Sequence, residues 1–154
     1  MDLSDRVCQT VDAIDHATVA TVSGTGQPWN TPVYFARQGG YFYWISRSDA
    51  QHSMNIRNNA RAFLVIYDSG RTDASGAALY AQAYVTELQD EAHIVLAIQA
   101  IYRRRQQPPP TPASFAGSSP HRVYQAVVRR AWTNVVHESD ISVWDERVEI
   151  ALTL

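Results

Sequence analysis

Residues 41–68 read YFYWISRSDAQHSMNIRNNARAFLVIYD, and three pieces of this stretch decide the fold. Residues 41–46 are aromatic and β-branched, the composition of a half-buried strand. Residues 49–58 carry a short-helix pattern. Residues 62–67 form a second apolar run, short enough for a strand buried on both faces. The polar insert holds Ser46, Ser48, Asp49, Gln51, His52, Ser53, Asn55 and Arg57. These crowd a strand end and a helix N-terminus, where unpaired backbone N–H groups favour an anion. Two readings stand side by side: a seat for the phosphate of a cofactor, or a connection whose polar side chains merely cap a helix.

Upstream, Leu3, Val7, Val11 and Ile14 recur at helical spacing, predicting a helix capped by Ser4 and ending near His16. Cys8 lies close to the same face and reads as a small core residue. Residues 17–23 alternate as a strand, residues 24–28 (GTGQP) are turn chemistry, and residues 29–36 resume a strand. Pro32 cannot donate to a ladder, so this strand is an edge, carries a bulge, or faces something other than a neighbour there. Residues 37–40 form a second hairpin turn. Three strands joined by two short turns make an antiparallel meander, the start of a barrel.

Downstream, residues 69–76 are a polar loop. Residues 77–88 are a long strand with Leu79, Ala81, Ala83 and Val85 on one face. Residues 90–105 are the clearest helix, with acidic residues at its start, Arg103, Arg104 and Arg105 at its end, and Ile94, Ala97, Ile98 and Ile101 as its stripe. The arginine triplet reads as a solvated helix end. The proline run at 108–112 is a stiff connector. Residues 123–128, 131–137 and 141–152 are closing strands. The fold class is therefore mainly β (α+β): one small antiparallel barrel with two or three helices, in a single domain over residues 1–154.

Composition limits the function. The chain has 154 residues, a net charge of -2, and 13 basic residues, all arginine. No basic face argues for nucleic acid, and no lysine is present to form a Schiff base. One cysteine excludes an internal disulfide and a multi-cysteine metal site. No apolar run reaches about 18 residues, the length that crosses a bilayer, so a cytoplasmic protein with no membrane association is expected. The five histidines lack metal-site spacing, and no metal is expected. There is no P-loop, GxGxxG or nucleophile elbow, and no residue is assigned as catalytic.

The order of these elements resembles the pyridoxamine 5'-phosphate oxidase-like family of flavin-binding split barrels. The likeness is carried by GQPWNTPVYF at residues 26–35, by the stretch at 41–68, by ALYAQAYVTEL at 78–88, and by RVYQAVVRRAWTN at 122–134. The resemblance implies a six-stranded Greek-key split β-barrel, a homodimer, and FMN in a cleft between subunits. It puts flavin contacts on Thr31, Pro32, Val33 and Tyr34 in the second strand and on Ile45 and Ser46 in the third. The phosphate turn falls on Ala50, Gln51, His52 and Ser53. The four tryptophans read as core or dimer interface, with Trp132 also expected as an aromatic stacking surface from the second subunit. Family oxidases have arginine at Thr31 and a basic pair at Gln51 and His52, so pyridoxamine phosphate itself is not the expected substrate. The expectation is an FMN-dependent oxidoreductase acting on a small molecule. The alternatives are the deazaflavin F420 or heme in the same fold, or a non-enzymatic dimeric binding module.

Overall fold

A computed structural model describes residues 2–71 and 77–152; most of the loop expected at 69–76 lies outside them. The elements run α1 (Leu3–Ala13), β1 (His16–Val22), β2 (Pro28–Gln38), β3 (Tyr41–Arg47), α2 (Gln51–Asn58), β4 (Arg61–Ile66), β5 (Leu79–Glu87), α3 (Glu91–Arg104), a 3-10 turn (Pro112–Phe115), β6 (His121–Ser139) and β7 (Ser142–Ile150). The sheet order is β3-β2-β1-β4-β5-β6-β7, and β3 also pairs with β6. That second pairing closes six antiparallel strands into a barrel. The meander β1-β2-β3 followed by β4 beside β1 is the Greek-key order.

The hairpin between β2 and β3 is tight because Gly39 and Gly40 both take positive φ, 58° and 81°, the backbone that a two-residue turn between twisted strands requires. On β5, Leu79, Ala81, Ala83 and Val85 face inward and are at most 4% exposed. They meet Phe35, Phe42, Trp44, Leu64 and Tyr124 in the barrel core. Val7 and Val11 of α1 and Ile56 of α2 join the same core, so α1 and α2 cover the barrel's two ends. A second cluster lies outside the barrel, where Ile94, Ala97, Ile98 and Ile101 of α3 cover Ala36 and Tyr43.

Several sequence expectations are corrected. Helix α1 is capped by Asp2, whose side chain accepts from the Asp5 N–H, and it ends at Ala13. Ser4 sits inside the first turn and donates to the Ala151 carbonyl. The strands expected at 123–128 and 131–137 are one continuous β6. Arg129-Arg130 reads locally as a break, yet Gln82 faces Arg130 and Ala83 faces Val128, leaving Arg129 as the extra residue of a bulge. His137 lies within β6, stacked on Trp144 at 5.4 Å. The arginine triplet is not a wholly solvated end. Arg104 donates to the carbonyls of Val11, Asp12 and Ile14 and lies 4.7 Å over the Phe35 ring. It thereby satisfies the C-terminal carbonyls of α1, which no helix can satisfy internally.

Candidate functional site

The barrel is split between β2 and β3. These strands pair only from Phe35, opposite Trp44, to Gln38, opposite Tyr41. Before Phe35, β2 pairs with β1 alone. The Phe35 N–H donates to Asp15 on the β1 side. Backbone groups alternate sides along a strand, so those of Asn30, Pro32 and Tyr34 face away from β1, into the gap. The missing N–H of Pro32 therefore falls where no ladder exists, which resolves the three options for that residue. Val33, by the same alternation, turns its backbone to β1. Its side chain is 5% exposed in the core, so it offers a ligand neither.

Beyond the gap, β3 ends at Ser46 and Arg47, paired to Arg122 and His121 of β6, and the chain turns into α2. The first turn of α2 decides between the two readings of the polar insert. Its N-cap is Ala50, and no side chain caps it. Asp49, the natural candidate, is drawn away by Arg47, whose Nε and Nη2 reach its two oxygens at 2.8 and 2.7 Å. Gln51 donates to Asn55 at 2.8 Å, and Asn55 donates to Thr21 inside the barrel mouth. The polar residues do not cap the helix. Its N–H groups remain available.

Beside that terminus Ser46 Oγ and His52 Nε2 lie 2.8 Å apart and share one hydrogen bond, its direction set by the histidine tautomer. His52 is 6% exposed, and burial pushes its pKa below the usual histidine value. Ser53 Oγ is buried and, among the described residues, meets the strict geometry of a hydrogen bond with none, though the Tyr124 hydroxyl lies close enough to feel it. Arg57 donates to the Ser48 carbonyl and lies 3.8 Å from Glu87, which also takes Arg122 at 3.3 Å. Hydrogen-bond donors are thus concentrated here, while the nearby guanidiniums are already matched to carboxylates.

The chain brings Ser46, Gln51, His52 and Ser53 together at one corner. Thr31 faces inward on the open stretch of β2, with its Oγ1 accepting from the Trp29 indole at 2.8 Å. Tyr34 and Ile45 lie on the outer side of the gap, against the cluster under α3. Trp132 is not at this corner of its own chain; it stacks on Phe63 with centroids 6.4 Å apart. Sequence reasoning missed Trp29, which is 46% exposed and held by Thr31 beside the gap. Only its position two residues before Thr31 signals it.

The pH dependence of the ligand-free chain follows from His52. A buried neutral histidine binds fewer protons than the same residue unfolded, so its contribution to stability is complete above the unfolded value of 6.5. It is lost as pH falls through the lower folded value. Urea midpoints are expected to drop between pH 7.5 and 5.5, at most about 1.4 kcal/mol per pH unit for one proton. His52→Gln is expected to flatten that slope. An unchanged slope in the variant would assign the dependence to other groups.

Comparison with known proteins places the architecture. The pyridoxamine 5'-phosphate oxidase family matches residues 3–131. This chain belongs to the pyridoxamine 5'-phosphate oxidase family. No curated protein sequence matches it significantly. Among solved structures, a heme binding protein from Mycobacterium smegmatis superposes with a TM-score of 0.70 at 17% identity, over 95% of this chain and 58% of that one. The heme storage protein HutZ from Vibrio cholerae gives 0.68 at 12% identity, over 84% and 92%. An F420 reductase gives 0.60 at 15% identity, over 80% and 93%. These likenesses establish the split-barrel fold shared by the family. Among the described residues, no helix is long and apolar enough to cross a membrane.

Proposed function

We propose that this member of the family is an FMN-binding oxidoreductase that acts as a homodimer on a small molecule other than pyridoxamine phosphate. The observation that carries the reading is the uncapped N-terminus of α2, flanked by Ser46 and His52 at the end of β3. A phosphate fits such a donor set: helix N–H groups on the positive end of a helix dipole, and the Ser46 hydroxyl, which is free to donate outward when His52 Nε2 donates to it. The open backbone edge at Pro32 and Tyr34 provides hydrogen-bonding groups for the polar edge of a planar ring. A bound flavin supplies the hydride chemistry; the chain's own residues hold, orient and shield it.

The weak point of the donor set is charge, because Arg47 and Arg57 already face carboxylates. His52 supplies charge only when protonated, and a phosphate dianion beside it raises its pKa. Cofactor binding therefore takes up a proton, and FMN is expected to bind more tightly at pH 6 than at pH 8. Ser46→Val is expected to weaken FMN by about tenfold, the loss of one hydrogen bond to a charged group. The same change should leave riboflavin, which has no phosphate, unaffected. Equal losses for FMN and riboflavin would remove Ser46 from the phosphate seat.

F420 carries a phosphate on a comparable side chain and uses the same donors, so it is the second ligand to test. The homodimer rests on apolar surface outside the barrel: Ile141, Val143 and Trp144 of the β6–β7 hairpin are 94%, 62% and 51% exposed. In the dimer Trp132 is assigned to the flavin of the partner subunit. Light scattering is expected to give twice the chain mass of 17.2 kDa.

A further inference from the structure

Three of the four tryptophans have a ring partner inside the chain: Trp44 stacks on Tyr124, Trp132 on Phe63 and Trp144 on His137. Trp29 has none. Among the described residues neither an aromatic ring nor a guanidinium lies on it, and it is 46% exposed. The ring is nevertheless held in place, because its indole N–H donates to Thr31 Oγ1 at 2.8 Å. An oriented, uncovered indole offers a flat face that a second planar ring can cover with little further loss of freedom.

Its place in the fold says which ring. Trp29 pairs with Thr21 of β1, and directly opposite residues share a face of the sheet. Asn55 of α2 donates to Thr21 on that face at 2.9 Å, and Gln51, in the first turn of α2, donates to Asn55. Trp29 is thus linked through these side chains to the uncapped helix start that seats the phosphate of the proposed flavin. It lies on the far side of that corner from the flavin ring. Continuing the β2–β3 register past Phe35 and Trp44 sets Ser46 across the gap from Val33, between Tyr34 and Trp29. At about 3.4 Å per residue, Tyr34 and Trp29 are about 17 Å apart along β2. A flavin with its ring at Pro32 and Tyr34 and its phosphate at the corner therefore ends short of Trp29.

Charge points the same way. Arg47 and Arg57 face carboxylates, and a helix N-terminus carries only about half a positive charge. A terminal phosphate brings about 1.5 to 2 negative charges at neutral pH. A phosphate esterified on both sides brings a single charge, which this corner balances better.

We propose that the cofactor site continues past the phosphate corner and that Trp29 stacks the adenine of a flavin dinucleotide. The inference rests on the flavin reading and extends it: FMN fills the site from the gap to the corner, and FAD fills it through to Trp29. Trp29 is a binding residue and takes no part in the chemistry.

The test is a calorimetric titration of the purified protein, stripped of any flavin it carries, with riboflavin, FMN and FAD. FAD is expected to bind about tenfold more tightly than FMN, the contribution of one base stacked on an aromatic side chain. Trp29→Ala should remove that margin and leave FMN within about twofold. Trp29→Phe, which keeps a ring, should retain part of the margin. FAD no tighter than FMN, an unchanged margin in Trp29→Ala, or equal losses of FMN and FAD in both variants would overturn the proposal while FMN binding by the parent protein stands. Binding of none of the three flavins would overturn the flavin reading itself, and this inference with it.

Discussion

Trp44→Ala is expected to destabilise the chain by about 4 kcal/mol and to abolish tight flavin binding with it. Trp44 is fully buried on β3, directly opposite Tyr124 of β6, and the two rings stack with centroids 5.9 Å apart and 17° between planes. This pair sits on the one strand pairing that closes the barrel. Ser46 lies two residues further along β3, so loosening the closure also displaces the donor nearest α2. For a domain of this size the loss corresponds to about 12 °C in melting temperature. Trp44→Phe separates packing from polarity. Among the described residues the indole Nε1 has no hydrogen-bond partner, so phenylalanine keeps a ring on Tyr124 and removes a buried unsatisfied donor. Its cost is expected to be about 1–2 kcal/mol. Thermal melts of the two variants check this, and equal losses would show that the ring stack is not what holds β3 to β6.

Arg104→Ala is expected to cost about 3 kcal/mol. One guanidinium nitrogen, Nη2, is shared among three carbonyls at the end of α1 while the group covers Phe35, and a hydrogen bond involving a charged group contributes about 1.5–3 kcal/mol net. Arg104→Lys should recover less than half, because an ammonium cannot reproduce the planar fork. Amide hydrogen exchange locates the damage: α1 is expected to lose protection first, while β5 and β6 keep theirs. Uniform loss across the chain would mean that α1 is no separate unit of stability.

The parts of this fold that could be read from sequence are those set by neighbours in the chain. Alternation in β5, the glycine turn at Gly39-Gly40 and the apolar stripe of α3 are local patterns, and each appears as an element close to where it was expected. What could not be read depends on partners far away. Arg129-Arg130 breaks an apolar run as a turn does, and only the pairing with Gln82 and Ala83 makes it a bulge within one strand. Arg104 looks solvated by its position at a helix end, since the carbonyls it serves lie about ninety residues earlier. Ser4 has the chemistry of a cap, but Asp2 takes that place.

The corner at α2 divides in the same way. Its position followed from one polar insert between two apolar strands. Its state did not: Asp49 looks like a cap in sequence and is held by Arg47, and the burial of His52 beside Ser46 depends on how α2 packs on the barrel. The β2 residues are sorted by strand parity, which puts Pro32 and Tyr34 in the gap and turns Val33 away from it.

Whether this corner holds a phosphate-bearing flavin is decided by a fluorescence-quenching titration of the purified protein with FMN and riboflavin at pH 6 and pH 8. FMN is expected to bind at micromolar concentration or tighter and more strongly at pH 6, with riboflavin weaker and insensitive to pH. Failure to bind FMN, or equal and pH-independent binding of both flavins, would contradict it.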